Sequence, residues 1–541
     1  MASVELPIGL SDWLASFRAR HRRAPRVLHI GNIANNAYNN ARLMNAAGLD
    51  CDVLCYDYYH AMACPEWEDA ELDEPPSHAF RPDWRNVELM GYVRPDWFAQ
   101  GPVALCVDYL LARRSGDRDR ARALWRALGT ANRTEPPKPL ARLRVAAARA
   151  TTFARSCFSA PDPRTRIATR LGRRGRPLVG PTLLAVSAAR AIETAIASGS
   201  GARREAARAT RALLERFRKE FPERADQLEQ ADLRHHEFLR SRWRALLRHY
   251  DIVQAYATDP VIPLVAGLPY FAFEHGTLRT IPFDPTPEGR ATALAYRLAE
   301  HVFVTNHDCL ENARLLAGDR VTFINHPFDE DHSVKVGGWQ ELRDELSREL
   351  DADFLIFFPT RHDWVPGTGY ADKANDVLLN GFCELRRCGT RVGLVMCEWG
   401  ANVPQSRSLI RAAGCERHVH WSSPMGIVRF ERMARACHVV ADQFKLGAFG
   451  GVVFKALAAG AVVMTYLNET TVLQQYPELP PVVNVRTTPE IVDAIRALSA
   501  DRQRLADLGT ASRRWMKQYH SATQTVVSQL REYARFLDRA A

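Results

Sequence analysis

Short runs of consecutive apolar residues recur in two parts of the chain and alternate with stretches of helical periodicity. A continuous apolar run bounded by turn residues is typical of a parallel strand buried on both faces. The clearest runs are RVLHI (26–30), CDVLC (51–55), DIVQA (251–255), YFAF (270–273), HVFVT (301–305), FLIFF (354–358) and the runs at 439–441 and 462–464. Strands alternating with helices predict two doubly wound, Rossmann-like α/β domains.

The spacing of these runs sets the expected domain boundaries. A chain of 541 residues is too long for a single core. We expect a first Rossmann-like domain over 1–333, a second over 334–505 and C-terminal helices over 506–541 that pack back on the body. Between the second and third strand runs, the chain is first rich in aromatic residues and proline and then Arg/Ala-rich. We interpret about 60–245 as a largely helical insertion in the first domain, with 56–100 as a surface excursion.

The stretch from Cys437 to Tyr466 carries the strongest chemical signal. A short strand leads into a loop containing Gly447, Gly450 and Gly451, and a helix follows over Val452–Ala459. Such a loop lies at the carboxyl end of its strand, where open α/β sheets bind ligands. The start of a helix offers unpaired N–H groups and a positive dipole end, which attract phosphate. Similar loops also occur in proteins that bind nothing, so this stretch alone leaves both readings open.

Polar residues follow three other predicted strands. His275 comes directly after the strand at 270–273, and Arg361 follows the strand at 354–358. Lys373 stands at a helix start, so Arg361 and Lys373 can converge on a diphosphate. The alternatives are a structural histidine and an ordinary surface pair. Gly31 and Asn32 open an Asn-rich loop that suits either a tight turn or contacts with hydroxyl groups.

Net charge and composition limit the classes of binding partner that we expect. The net charge of +10 and pI near 9.1 favour acidic partners such as nucleotide phosphates or anionic lipids. No nucleic-acid motif accompanies the basic helices, so we expect no nucleic acid. The 11 scattered cysteines and the absence of a long apolar run indicate a cytoplasmic protein. The basic amphipathic segment 5–23 suits either peripheral contact with the inner membrane or packing on its own domain.

With these motifs in place, the chain resembles the GT-B glycosyltransferases, in particular the retaining family 4. Arg361 followed by the run 373–376 (KAND) resembles that family's Arg…Lys-Gly-x-Asp pattern. The segment 447–460 resembles its Glu-x-Phe-Gly…Glu-Ala-x-Ala-x-Gly signature, and Glu274-His275-Gly276 resembles its His-Gly site. The resemblance covers about 250–510 and 26–55 but not the insertion.

The resemblance implies an enzyme that transfers a sugar, with retention, from a nucleotide-sugar substrate to a glycan or lipid-linked acceptor in cell-surface polysaccharide synthesis. It implies neither a cofactor nor a metal. The expected catalytic residues are His275, Arg361 and Lys373. The expected donor-binding residues are Gly31, Asn32, Asp442, Gln443, Gly447, Phe449, Gly450, Gly451 and Lys455.

Two positions depart from the family's signature. Gly447 and Lys455 stand where the family has glutamates, the second of which binds the ribose hydroxyls. An ammonium group cannot accept those hydrogen bonds. Lys455 would then meet a phosphate while Asp442 or Gln443 takes the polar contact. The alternative is a catalytically inactive GT-B scaffold protein that docks to a membrane or partner.

Overall fold

The computed structural model describes residues 4–72, 74–79, 82–84, 87–131, 200–237, 239–367 and 372–540. Within these residues the chain forms two parallel sheets, one of seven strands and one of six. Each sheet has an apolar core on both faces, which the covering helices complete. The predicted fold class of two Rossmann-like α/β domains is therefore confirmed.

The first sheet has the order β3-β2-β1-β4-β5-β6-β7, and all its strand pairs are parallel. Its strands are β1 Arg26–Ile30, β2 Asp50–Tyr56, β3 Phe98–Gly101, β4 Ile252–Tyr256, β5 Phe271–Phe273, β6 His301–Val304 and β7 Val321–Phe323. The strand order reverses between β1 and β4. Sheets of this kind bind ligands at the carboxyl ends of the strands where the order reverses.

The predicted boundaries of the insertion need one correction. The range 60–245 contains β3, which pairs with β2 at the edge of the sheet, so 56–100 is not only a surface excursion. The helices of this part of the chain are α1 Ile8–His21, α2 Asn36–Ala46, α3 Pro65–Asp69, α4 Val103–Ser115, α5 Arg118–Ala131, α6 Ser200–Glu220, α7 Gln230–Glu237, α8 Arg240–Leu247, α9 Val261–Ala266, α10 Pro287–Leu298 and α11 Leu310–Ala317. The rest of the predicted helical insertion, 132–199, lies outside the described residues.

The second sheet has the order β10-β9-β8-β11-β12-β13 and is also parallel. Its strands are β8 Phe354–Phe358, β9 Val392–Cys397, β10 Val419–Ser422, β11 Val439–Ala441, β12 Val462–Thr465 and β13 Val482–Asn484. Its helices, with those that follow, are α12 Trp339–Glu349, α13 Asn375–Arg387, α14 Val403–Ala412, α15 Ile427–Ala436, α16 Gly451–Ala458, α17 Glu469–Leu473, α18 Thr488–Ala500, α19 Arg502–Tyr519 and α20 Ala522–Ala540. The strand order reverses between β8 and β11, so the residues after these two strands flank the crevice of this sheet.

The two sheets are connected at several points. Helix α20 returns to the first sheet, where Tyr533 donates a hydrogen bond to Oε1 of Gln254 at 2.6 Å. In the other direction, α3 reaches the start of α15, and Trp67 and Ile427 belong to one apolar cluster. These contacts join the two domains, and we call the region between the carboxyl ends of the two sheets the interdomain cleft.

The basic N-terminal helix α1 packs on the protein itself. Leu14 and Phe17 are buried, and the indole N–H of Trp13 donates to Asp538 of α20 at 3.1 Å. Packing on its own domain, one of the two alternatives for this segment, is therefore observed. Across the described ranges, none of the helices combines the length and the apolar character that crossing a membrane requires.

Candidate functional site

The loop after β11 is shaped by two buried polar side chains. Gln443 uses both amide hydrogens, donating to the carbonyls of Ala448 at 3.0 Å and Tyr466 at 2.7 Å. Its Oε1 accepts from the backbone N–H groups of Lys445 and Leu446. The hydrogen-bonding capacity of this amide is thus filled by the loop itself. Gln443, which we expected to touch the donor, instead fixes the loop's conformation.

Asp442 lies at the carboxyl end of β11 and is 2% exposed. Its Oδ1 accepts from the hydroxyl of Thr360 at 2.8 Å, which ties this loop to the end of β8. Burial raises the pKa of Asp442, while the nearby Lys373 ammonium and the Thr360 bond lower it in part. Asp442 therefore connects the two strand ends that flank the crevice.

The three glycines of the loop serve different purposes. Gly447 adopts φ +68°, and a Cβ atom there would lie 3.1 Å from the ring of Tyr466. Gly450 packs against Asp442, whereas Gly451, the first residue of α16, has open space on its Cβ side. A side chain at Gly451 would therefore meet no neighbouring atom, whereas one at Gly450 would collide with Asp442.

Arg361 and Lys373 lie at the same edge of the second sheet. The Arg361 guanidinium forms an ion pair with Asp363 and stacks near Trp399, with 5.9 Å between its Cζ and the ring centre. The backbone N–H of Lys373 donates to the carbonyl of Asp363 at 2.7 Å. The Asp363 segment thus holds both cations beside the reversal of strand order. The structure thus links Arg361 and the backbone of Lys373 through Asp363, and the convergence of the two cations on a diphosphate stays a prediction.

His275 follows β5 at the carboxyl edge of the first sheet and is linked to a second histidine. Its Nδ1 lies 3.0 Å from Nδ2 of Asn36, and Oδ1 of the same amide lies 3.1 Å from Nδ1 of His326. Burial, aided by Arg279, lowers the pKa of His275 to about 4. Burial, aided by His275 and Lys455, lowers the pKa of His326 to about 3. Both rings are therefore neutral at pH 7.

Sequence reasoning did not single out His326 or Asn36 as site residues. His326 follows β7 almost as closely as His275 follows β5, and that shared position after a strand was the available signal. Asn36 was one of several asparagines in one loop, and only its long-range contacts distinguish it.

Lys455 on α16 faces the first domain across the cleft. Its charge acts on Glu68 of α3, a buried carboxylate. Burial alone would raise the pKa of Glu68, but Lys455, followed by Arg42 and a hydrogen bond from Asn39, lowers it below its usual value. The Lys455 ammonium thus favours the charged form of a carboxylate that belongs to the other domain.

Gly31 and Asn32 end β1 beside the cleft, but their contacts are internal. Gly31 has φ +88°, and a Cβ atom there would lie 2.2 Å from Oδ2 of Asp259. Asn32 is 1% exposed; it donates to the carbonyl of Ala63 at 2.8 Å, and its Oδ1 accepts from the N–H of Tyr38. Asn32 therefore holds the segment before α3 in place and has no free face for a sugar.

Phe449 is also turned inward. Its ring packs against Phe454, Tyr476 and Trp515, with centroid distances of 5.0, 5.9 and 6.3 Å. Phe449 thus supports the loop from behind, and donor binding by Gly450, Gly451 and Lys455 stays a prediction.

A cluster of charged residues lies between α2, α3 and the connection to the second domain. His332 Nδ1 lies 2.7 Å from Glu431 of α15, and its Nε2 lies 3.8 Å from Asp69 of α3. Asp69 also pairs with Arg42. These residues surround a cavity of about 210 Å³, which is lined by Arg42, Leu43, Ala46, Asp69, Asp329, His332 and Lys335. Within the part of the chain that the structure describes, no group of His, Cys, Asp or Glu is placed to hold a metal ion.

Comparison with known proteins gives structural matches only. No protein-family model and no curated protein matches the chain. Anabaena HepE in complex with UDP and glucose shares 18% identity over 55% of this chain and 81% of its own, with a TM-score of 0.43. Sucrose-phosphate synthase from Thermosynechococcus elongatus shares 14% over 56% and 80%, with a TM-score of 0.39. S. aureus MnaA with UDP shares 14% over 59% and 86%, with a TM-score of 0.36. Because the sequence identities and TM-scores are this low, the functional argument rests on the chain's own residues.

Proposed function

We propose that the chain is a GT-B glycosyltransferase that moves a sugar from a nucleotide-diphosphate sugar to a glycan or lipid-linked acceptor. The feature that supports the proposal is the placement of Arg361 after β8, Lys373 before α13 and the start of α16 after β11, all on the carboxyl side of the second sheet beside the reversal of strand order. A leaving diphosphate needs this kind of charge compensation.

The proposed roles of the residues follow from where charge develops in the transition state of sugar transfer. As the bond from the anomeric carbon to the diphosphate breaks, negative charge grows on the diphosphate and positive charge on the sugar. Arg361, Lys373 and the N–H groups at the start of α16 would stabilise the departing diphosphate, which gains one negative charge as the bond breaks, more strongly than the intact nucleotide sugar. His275, neutral at pH 7, lies on the opposite edge of the cleft and would orient the sugar. Retention, a cell-surface polysaccharide as product, cytoplasmic location and peripheral membrane contact remain part of the proposal through the family resemblance.

Thermal stabilisation by UDP, GDP, ADP and their sugars tests the nucleotide site. A ligand at 100 times its dissociation constant stabilises the folded state by about 2.7 kcal/mol. We expect one base to raise the melting temperature by several degrees, since each kcal/mol shifts it by about 2–4 °C in a domain of this size. The double variant Arg361→Ala, Lys373→Ala should lose the shift.

A matched variant controls for the loss of two surface cations. Arg391 precedes β9 at the opposite edge of the same sheet, and Lys219 lies exposed on α6. Arg391→Ala, Lys219→Ala should keep the nucleotide-induced shift. The proposal would be contradicted if no nucleotide at millimolar concentration stabilised the wild-type protein.

The second candidate is a catalytically inactive scaffold on the same fold. Gly447 and Lys455 favour it, because both replace glutamates of the family's signature and Lys455 cannot accept the hydrogen bonds of the ribose hydroxyls as the second glutamate does. Nucleotide release distinguishes the two candidates: the enzyme liberates UDP or GDP from its nucleotide sugar when an acceptor is present, whereas the scaffold binds nucleotide, if at all, without turnover.

A further inference from the structure

Asn36 contacts both His275 and His326 through its side-chain amide. It lies at the first position of α2 and is 4% exposed. The two imidazole rings approach it from different strands, β5 and β7, and their centroids are 5.4 Å apart at an interplanar angle of 77°. An amide has one end that only donates and one end that only accepts. Its orientation therefore decides which nitrogen of each ring carries hydrogen.

The orientation of this amide is set by a third contact. Nδ2 of Asn36 lies 3.1 Å from the backbone carbonyl of Ile33, which can only accept a hydrogen bond. The reversed orientation would place two oxygen atoms against each other. Nδ2 therefore also donates to Nδ1 of His275, and Oδ1 accepts from Nδ1 of His326. Because both rings are neutral, His275 carries its hydrogen on Nε2 and His326 carries its hydrogen on Nδ1.

The far nitrogen of each ring is open to a ligand. Nε2 of His275 and Nε2 of His326 have no hydrogen-bond partner among the described residues. Neither atom is fully buried, in contrast to Nε2 of His29 and Nε2 of His362. His326 also lies close enough to Lys455 on the second domain to be affected by its charge, which places this ring at the cleft. One ring therefore offers an N–H donor and the other a lone pair.

We propose that Asn36 is a positioning residue that holds His275 and His326 in opposite tautomers, so that together they bind a hydroxyl group of the donor sugar. A hydroxyl can accept from Nε2–H of His275 and donate to Nε2 of His326, which matches its one donor and two acceptor sites. The identity of the bound group rests on the proposed function, whereas the tautomers follow from the contacts of Asn36 alone.

The tautomers can be measured without any substrate. Two-bond ¹H–¹⁵N correlation spectra of protein labelled with ¹⁵N-histidine distinguish the two neutral forms, and His275→Gln and His326→Gln assign the signals. We expect the Nε2–H form at His275 and the Nδ1–H form at His326. The same tautomer at both rings would overturn the proposal.

The variant Asn36→Asp gives the sharper test. A carboxylate of the same shape can only accept, so His275 should change to the form that carries hydrogen on Nδ1, while His326 keeps its form. Asn45→Asp makes the same change on α2 at a side chain whose Oδ1 accepts from the backbone N–H of Cys51, a bond that aspartate retains. It should leave both rings as they are. An unchanged His275 in Asn36→Asp would contradict the inference.

Binding measurements then test the sugar hydroxyl. Asn36→Asp should weaken binding of the nucleotide sugar about tenfold, the effect of one lost hydrogen bond, with UDP or GDP bound as before. Equal weakening of nucleotide and nucleotide sugar would contradict the hydroxyl assignment. If the wild type bound no nucleotide, the proposed function would fail, while the tautomer result would stand by itself.

Discussion

Gly450 lies directly against the buried carboxylate of Asp442, so that a Cβ atom on Gly450 would stand 2.2 Å from Oδ2. The φ angle of Gly450 is −90°, which any residue can adopt, so the requirement for glycine is steric. Asp442 cannot move aside, because its other oxygen is bonded to Thr360 at the end of β8. The contact thus joins the loop after β11 to the end of β8, which Arg361 follows.

Gly450→Ala is therefore expected to displace the loop. Overpacking of a close-packed site costs about 1–3 kcal/mol, and the start of α16 should lose its position for a diphosphate. We expect a lower melting temperature and no stabilisation by nucleotide. Gly451→Ala is the matched control, because its added Cβ atom meets open space. Equal nucleotide binding by the two variants would contradict this account of the loop.

Lys455 and Glu68 should be energetically coupled across the cleft. Glu68 is buried and Lys455 is partly buried, so their attraction is screened less than that of an exposed pair. In a double-mutant cycle with Lys455→Met and Glu68→Gln, we expect a coupling free energy of unfolding of at least about 0.5 kcal/mol. The exposed pair Lys517 and Asp331, 3.3 Å apart, should show less in the cycle of Lys517→Met and Asp331→Asn. Additive effects for Lys455 and Glu68 would show that they do not interact.

The sequence predicts most strands of the two sheets well, because strands buried on both faces are continuous apolar runs. β8, FLIFF, is such a run, and its position in the sheet followed from the strand–helix alternation. β3 was missed because its four residues, FAQG, include a glutamine and a glycine and resemble a turn. The predicted positions of Arg361 and of the glycine loop followed from the ends of β8 and β11. The approximate position of the candidate crevice could therefore be predicted from the sequence.

The direction in which individual side chains point was not predictable from the sequence. Asn32, Gln443 and Phe449 occupy the expected loops but turn inward, because the backbone carbonyls and rings that they contact are close to them only in the folded chain. The partner of Lys455 belongs to α3, in the part of the chain where no family resemblance was visible. Contacts of this kind depend on the packing of the two domains rather than on local pattern.

Asp259 should make the stability of the protein depend on pH. Burial raises the pKa of this carboxyl group to about 7, although a hydrogen bond from Tyr56 opposes the shift. Since the folded-state pKa lies above the unfolded value of 3.8, the native protein binds more protons between these pH values. The contribution of Asp259 to stability is therefore present below pH 3.8 and is lost as the pH rises through about 7.

The variant Asp259→Asn isolates this contribution. Its free energy of unfolding should fall less between pH 5 and pH 8 than that of the wild type, as measured by urea denaturation. Asp319→Asn, at an exposed position before β7, is the matched control and should keep the wild-type pH dependence. Parallel curves for the wild type and Asp259→Asn would show that Asp259 does not retain its proton in the folded state.

His332 should link the two domains in a pH-dependent manner. Burial alone would lower its pKa, but the hydrogen bond to Glu431 and the charges of Glu431 and Asp69 raise the pKa above its usual value of 6.5, against the opposing charge of Arg42. A raised histidine pKa contributes stability that is fully present below pH 6.5 and is lost as the pH rises through the folded-state value. His332→Gln should therefore destabilise the protein more at pH 6 than at pH 8.5, as measured by thermal unfolding.

His420→Gln, which removes a histidine from a more exposed pair with Glu349, should show a smaller difference. A pH-independent effect of His332→Gln would mean that Glu431 and Asp69 hold a neutral ring, and the link between α3 and α15 would then rest on the apolar contact of Trp67 with Ile427.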